Sequence, residues 1–558
     1  MSPWPRPIFP AARTLRAVAP AILLFLAASA CRTPVREFAP PVALPDSFTL
    51  TGHEPRAEHW WEDFQDPALN ALQAEALSDN FTLRAAWQRL RQADAAARIA
   101  GADLFPQADA SAGLAHRWRR VLVTRTERRP APAAGGRADT DDQSAGDDAM
   151  DDADADNSPA ASPGAAAQRD SRTSWEIEHS PNRSLGLAVS YELDLWGRIR
   201  SLRNAAELEA LASRNDLHTL AITLTAEVAL AWYDLRAQQA RLALLDEQTE
   251  TARIILELIE ARFRLGQARA TDVLQQRQLV ESLLGAREQV LAVVGLLQNQ
   301  LAVLLGDVPG QVAFDAPPDL IDLPPLPQTG IPAEWVRARP DVRAAYRDLQ
   351  AADQQLAAAI ADRFPRVTLA AALEAASPDW NAVLDNWVAT LAANLVAPIM
   401  DGVRRRAEID RRRALVAERL EQYAQAILLA VREVEDALTR EARQRAFLAS
   451  LERQIETAGQ VLERTRFEYL RGAQDYLRVL DAQQTLYDLQ ADRIAARSQL
   501  IEHRIQLCRA LAGGWRLEPP DALQTVESNQ RDNPPPPPTP TWERVPLPPP
   551  DPPPAAGA

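Results

Sequence analysis

A chain of 558 residues is too long for one ordinary domain, and its 46% hydrophobic content excludes a wholly disordered polymer. A formal net charge of −15, with Arg supplying all 61 basic residues, excludes a nucleic-acid binder built on a basic face. Two Cys and six scattered His exclude a disulfide scaffold and match no zinc or iron–sulfur spacing.

Arg6, Arg13 and Arg16 precede an apolar stretch, Ala17–Ala28, that is too short to span a bilayer. Ala28-Ser29-Ala30-Cys31 follows. Residues 1–30 read as an export signal peptide, and Cys31 as the first mature residue, a thiol placed for acylation, palmitate included. The plainer alternative is ordinary cleavage near Ala30 beside an incidental Cys. Position 28 holds Ala where such sites usually have Leu, and Arg32 is not an inner-membrane retention signal. No later stretch of 18 or more apolar residues occurs, so the sequence predicts no transmembrane helix, and any membrane crossing falls to strands.

Strict alternation predicts strands at 107–118 and 183–195. In the second, Leu185, Leu187, Val189, Tyr191, Leu193 and Leu195 face away from Ser184, Gly186, Ala188, Ser190, Glu192 and Asp194. Between them, 125–182 reads as an acidic disordered insertion with nine Asp from Asp139 to Asp156. Helices are predicted at 197–265 and 272–305. The first carries a heptad seam through Leu220, Leu224, Val228, Ala231 and Leu235 to Phe263. A Pro-rich linker spans 308–338. Strands at 366–376 and 387–399 and helices at 403–470 and 476–512 follow; Cys508 lies in the last seam and reads as a buried thiol. Residues 513–532 form a C-terminal segment, and 533–558, with 13 Pro, a polyproline-type disordered tail.

The chain contains itself twice. Residues 80–107 and 339–366 align without a gap, with eleven identities that include Asp103, Phe105 and Pro106 against Asp362, Phe364 and Pro365. Gly266 pairs with Gly472 at an offset of 206. The first repeat is therefore 80–307 and the second 339–512. Four strands cannot close a membrane barrel, so copies must pool them; two copies give eight strands and three give twelve, and the count alone does not choose.

The export signal, the Ala-Asp-x-Phe-Pro run, Asp194-Leu195-Trp196-Gly197-Arg198, Arg339-Pro340-Asp341-Val342, and Tyr469-x-x-Gly472-x-x-x-Tyr476-Leu477-x-Val479-Leu480-Asp481-Ala482-Gln483 together resemble the TolC-like outer membrane factor family, in its NodT-type lipoprotein branch. The resemblance covers about residues 57–515. It implies a mainly α chain with a membrane β-barrel: a homotrimer closing a twelve-stranded barrel in the outer membrane of a Gram-negative cell, with a coiled-coil α-helical tunnel in the periplasm. It implies lipid anchoring and a collar formed by 31–79, 308–338 and 513–532. It further implies a periplasmic membrane-fusion adaptor and an inner-membrane transporter, of the RND type first, as partners. The function so implied is the passive exit duct of a tripartite efflux pump, with no cofactor and no catalysis. The alternatives are a type I protein secretion duct and, further off, a periplasmic coiled-coil adaptor or adhesin.

In that family the periplasmic tip is closed by Asp rings and cross-helix bonds. The matching candidates are Asp272, Asp481 and Arg478, the last standing where the family often has a second Asp. Asp272 reads equally as a helix cap with Thr271, and Asp481 as a solvated position. Gly266, Gly472 and Tyr469 mark the helical turns that would meet the adaptor.

Overall fold

In the computed structural model, which describes residues 35–52, 59–128, 169–511 and 517, the helices come in two matched sets. Helices α1 (Pro67–Asp79) and α2 (Phe81–Ala102) lead to the first strands; α3 (Arg198–Arg264) and α4 (Ala270–Leu305) follow them. The second half gives α5 (Pro332–Ala338), α6 (Pro340–Ala361), α7 (Arg404–Leu470) and α8 (Tyr476–Leu511). Helices α2 and α6 have 22 residues each, α3 and α7 have 67, and α4 and α8 have 36, so the two halves match element for element. Each 67-residue helix is about 100 Å long at 1.5 Å per residue.

The sequence reading assigns no element to 80–106 or 339–365. There the structure has α2 and α6, Ala-rich helices started by Asn80, whose carboxamide oxygen accepts the Leu83 N–H at 2.9 Å, and by Pro340 at a first-turn position. One described helix, α4, contains an 18-residue window of mean hydropathy 1.4 and is long and apolar enough to cross a membrane, 22% of it being buried. A rule of uninterrupted apolar residues misses it because Gln298 and Asn299 interrupt the run. Leu301, Ala302 and Leu305 of α4 are buried, while Leu296 and Val303 are 67% and 59% exposed.

Among the described residues, the helical unit comprises 35–52, 59–104, 194–365, 397–511 and 517. Its seam residues Leu224, Val228, Ala231, Leu235, Leu245, Ala252 and Ile259 are buried, whereas Phe263 is exposed. Buried polar groups tie its parts together. Asp66 caps α1 by accepting the Ala68 and Leu69 N–H groups at 3.1 and 3.3 Å, and it also accepts from Trp232 Nε1 at 2.9 Å and Arg236 at 2.7 Å. Three arginines hold the backbone of the Pro-rich linker. Arg236 donates to the Asp319 carbonyl, Arg497 to that of Leu320 at 3.1 Å, and Arg504 to those of Pro324 and Pro325 at 2.8 and 3.1 Å. Proline leaves only carbonyls to bond, which suits a clasp made of guanidinium donors.

The strand unit, residues 105–128, 169–193 and 366–396 among those described, is built on one antiparallel sheet in the order β1-β2-β3-β4. Its strands are β1 (Gln107–Arg128), β2 (Arg169–Leu193), β3 (Arg366–Ser377) and β4 (Trp387–Val396). Leu187 stands opposite Ala110 and Leu373, and Leu373 opposite Ala389. One face is therefore apolar across all four strands, and it is open: Leu114, Leu391 and Leu395 are 74%, 85% and 69% exposed.

Strand lengths differ from the sequence reading. The ladder between β1 and β2 runs on to Arg128 opposite Arg169, so the flanks of the expected 125–182 insertion are strand. The charged residues there read as loop, but the ladder carries them: Arg119 stands opposite Glu178 in the register, and Arg120 stacks 4.7 Å over the Trp175 ring. Residues 129–168, with all nine Asp, lie outside the described residues, as do the signal peptide, Cys31 and the tail. Strand β2 stops at Leu193 because Asp194 turns to cap α3, taking the Ile199 and Arg200 N–H groups at 3.1 and 2.9 Å. Strand β4 stops at Val396, short of Pro398, which has no N–H for a ladder.

Candidate functional site: the ends of the long helices

Helix α3 turns into α4 at Gly266, and α7 into α8 at Gly472. Both glycines hold left-handed φ, +73° and +76°, with open space around them. A side chain at either would strain the turn rather than collide.

Between these turns the two halves meet through equivalent positions. Arg269 and Asp475, separated by the repeat offset of 206, form an ion pair at 3.1 Å with both side chains about 70% exposed (73% and 70%). Beneath it, Tyr476 donates its hydroxyl to Gln276 Oε1 at 2.5 Å, and Gln276 Nε2 donates to the Ala252 carbonyl at 2.7 Å. Gln276 is fully buried. This bond stitches α4 to α8 and back to α3, within a core of Ile259, Val273, Leu279, Tyr476 and Leu480.

Tyr469 packs 5.3 Å from the Tyr476 ring and 5.2 Å from the Arg262 guanidinium. Its hydroxyl is buried with no hydrogen-bond partner among the described residues. Burial, with Asp272 nearby, pushes that hydroxyl above its ordinary pKa. Asp272 sits in the first turn of α4 and accepts the Arg269 backbone N–H at 3.0 Å, so it does cap, through Arg269 rather than alone with Thr271. Arg478 and Asp481 lie on α8; among the described residues neither side chain has an ion pair. The ionic contact between hairpins is thus Arg269 with Asp475, and Arg478 does not reach Asp272 within one chain. The sequence reading missed Arg269, Asp475, Gln276 and Tyr476 as a unit. The repeat offset was the available signal, since 269 and 475 are equivalent positions with opposite charges.

Cys508 lies far along α8, buried, its thiol pushed up to about 12 by desolvation. That makes it a packing residue rather than a nucleophile.

Comparison with known proteins gives one consistent picture. The family description "Outer membrane efflux protein" matches residues 138–306 and 332–513. The chain is 30% identical over 512 residues to the pyoverdine export outer membrane protein OpmQ of Pseudomonas putida, covering 90% of this chain and 97% of that one. It is 31% identical over 466 residues to the toluene efflux pump outer membrane protein TtgF, from another strain of Pseudomonas putida, covering 82% and 85%. Among solved structures, the outer-membrane channel OprN superposes with a TM-score of 0.70 at 26% identity, covering 87% of this chain and 100% of that one.

Proposed function

The chain belongs to the outer membrane efflux protein family, and from that premise we propose that three copies pool their strands into one membrane barrel that opens into a helical periplasmic passage. It is an outer membrane protein and the exit duct of an efflux pump. The observation that carries the oligomer is the sheet. It has an apolar face on all four strands and two open edges, β1 and β4. Open edges are not tolerated in lipid, so β1 of one copy pairs with β4 of the next. The exposed apolar side of α4 supports the same reading, because a neighbouring copy would cover it.

The duct does no chemistry. A periplasmic adaptor would meet the turns at Gly266 and Gly472, and an inner-membrane transporter would supply the cargo. The resting gate is the ring of helix ends. Its carboxylates, Asp272 and Asp481, repeat around the axis and attract divalent cations, while Arg478 faces neighbouring copies. Exposed ion pairs such as Arg269 with Asp475 contribute about 1 kcal/mol or less each, so a docked partner can open the ring.

The test is conductance of the purified chain in planar bilayers. It should conduct. Arg478→Ala, and separately Arg269→Ala, should raise open probability up to about fivefold, the equivalent of about 1 kcal/mol. Asp272→Ala with Asp481→Ala should weaken block by divalent cations. A chain that never conducts refutes the duct. Variants that all conduct like wild type move the aperture elsewhere.

We also read Cys31 as lipidated. Arg36, five residues on, is held to α6 by the Gln350 side chain, which donates to its carbonyl at 3.3 Å. Cys31→Ser should abolish incorporation of a palmitate analogue in cells while leaving conductance intact; unchanged labelling would rule the anchor out.

A further inference from the structure

We propose that the chain carries a site for the phosphate group of an anionic phospholipid, in a cleft of the helical unit between the first turns of α3 and α7 and the last turns of α6. The cleft has a volume of about 540 Å³ and is lined by Arg198, Arg404, Arg405, Arg411 and Arg412. Two carboxylates share it, Asp362 and Glu408, and Asp401 stands beside it. Five guanidinium groups against three carboxylates leave the cleft cationic.

The acids hold the arginines in place. Arg405 lies between Asp362 at 3.0 Å and Asp401 at 3.1 Å. Glu408 lies 2.7 Å from Arg411 and 2.9 Å from Arg412, and hydrogen bonds from Arg411 and then Arg412 hold its carboxyl at about 2. Arg412 also bonds the Gln355 side chain. Each guanidinium has five N–H donors in a planar fork, so these bonds orient it and leave donors over for a second anion. Arg404 is exposed and makes no side-chain hydrogen bond or ion pair among the described residues.

Two features favour a lipid over a soluble anion. Apart from Gln355, the rest of the lining is apolar, from Leu202, Ala358, Ala359 and Ala407, a surface suited to the start of an acyl chain. The second is place in the chain. Arg198 comes five residues after β2 ends, Arg404 eight after β4 ends, and Asp362 four before β3 begins. If the strands span the membrane, as the duct reading holds, these are the turns at headgroup level. Both halves put arginine there: Arg198, Arg200 and Arg203 open α3, and Arg404, Arg405 and Arg406 open α7. At Val403 the backbone takes φ +72°, a left-handed conformation that is costly for a β-branched residue, and it aims the chain into the Arg404 run.

The experiment uses the full chain in neutral detergent, titrated with dihexanoyl-phosphatidylglycerol, dihexanoyl-phosphatidylcholine or glycerol 1-phosphate, with binding read by native mass spectrometry. Phosphatidylglycerol should saturate a site at least tenfold more tightly than either comparison ligand. Arg404→Gln should weaken it several-fold, and the triple change with Arg411→Gln and Arg412→Gln should abolish it. Arg464→Gln, elsewhere on α7, should change nothing. Equal binding of the two lipids overturns the proposal, as does an Arg404→Gln chain that binds like wild type. Glycerol 1-phosphate binding as tightly as the lipid makes this a soluble-anion site and overturns it too. Conductance of the same preparations separates the two readings: a conducting chain without selective lipid binding loses only this site.

Discussion

Glu441→Leu is expected to destabilise the helical unit by about 3–5 kcal/mol, the usual cost of stranding one member of a buried ion pair. Glu441 and Arg504 have side chains 1% and 2% exposed, joined by two bonds of 2.9 and 2.6 Å. Without Glu441, the Arg504 charge keeps only the carbonyls of Pro324 and Pro325, and those bonds do not neutralise it. The reverse change, Arg504→Met, should cost less. Arg445 reaches Glu441 at 2.9 Å from the surface and offsets part of the carboxylate's burial. It should instead loosen the linker, visible as faster hydrogen exchange around Leu326, whose N–H lies just past the lost carbonyl bonds. The double variant, with Met and Leu filling the same space, should recover most of the loss, since a hydrophobic pair carries no desolvation cost. Thermal melting of the three variants checks the order. A Glu441→Leu chain within about 1 kcal/mol of wild type would mean that the pair is neutralised some other way.

Asp66→Ala should be comparably severe, for a different reason. One carboxylate caps α1, pairs with buried Arg236 and accepts the Trp232 indole N–H. Losing the cap costs about 1 kcal/mol. Leaving Arg236, which is 7% exposed, without a counter-charge costs about 3 kcal/mol or more. Asp66→Asn separates the two effects. Its carbonyl oxygen, placed as Asp66 Oδ1, can still cap the helix, while its amide NH2 takes the place of the Oδ2 that accepts from Trp232 and Arg236, so the cap is kept and the counter-charge is lost. Unfolding should therefore rank Ala as worse than Asn and Asn as worse than wild type, with a gap of roughly 1 kcal/mol between the two variants. Equal losses would show that capping contributes nothing at this site.

The sequence alone determined the duplication, the four strand cores, the four long helices and the glycine turns. Each is a local or periodic signal. Alternating Leu185, Leu187 and Val189 can only be two-faced as a strand, and the three-and-four spacing kept from Leu220 to Ile259 can only bury a seam as a helix. The same signals, joined with motif order, carried the family.

What the sequence could not supply depended on partners distant in the chain. The outer reach of β1 and β2 is written in charged residues, and it is strand through the backbone ladder between two segments about 60 residues apart in the chain, with Arg120 stacked on Trp175 across it. The tip network joins Gln276 to Tyr476, 200 residues apart, and the ionic contact falls on Arg269 and Asp475 rather than on Arg478. A single residue's reach is about one helical turn, so sequence spacing says which side chains share a face but not which helix that face will meet. The clasp on the linker and the arginine cleft arise in the same way. Proline marks 319–325 as irregular, yet only the packed helices place Arg236, Arg497 and Arg504 against its carbonyls. Burial then decides the energetics: an arginine on a solvated helix face contributes almost nothing, while Arg504, closed in by α7 and the linker, must be neutralised for the unit to fold.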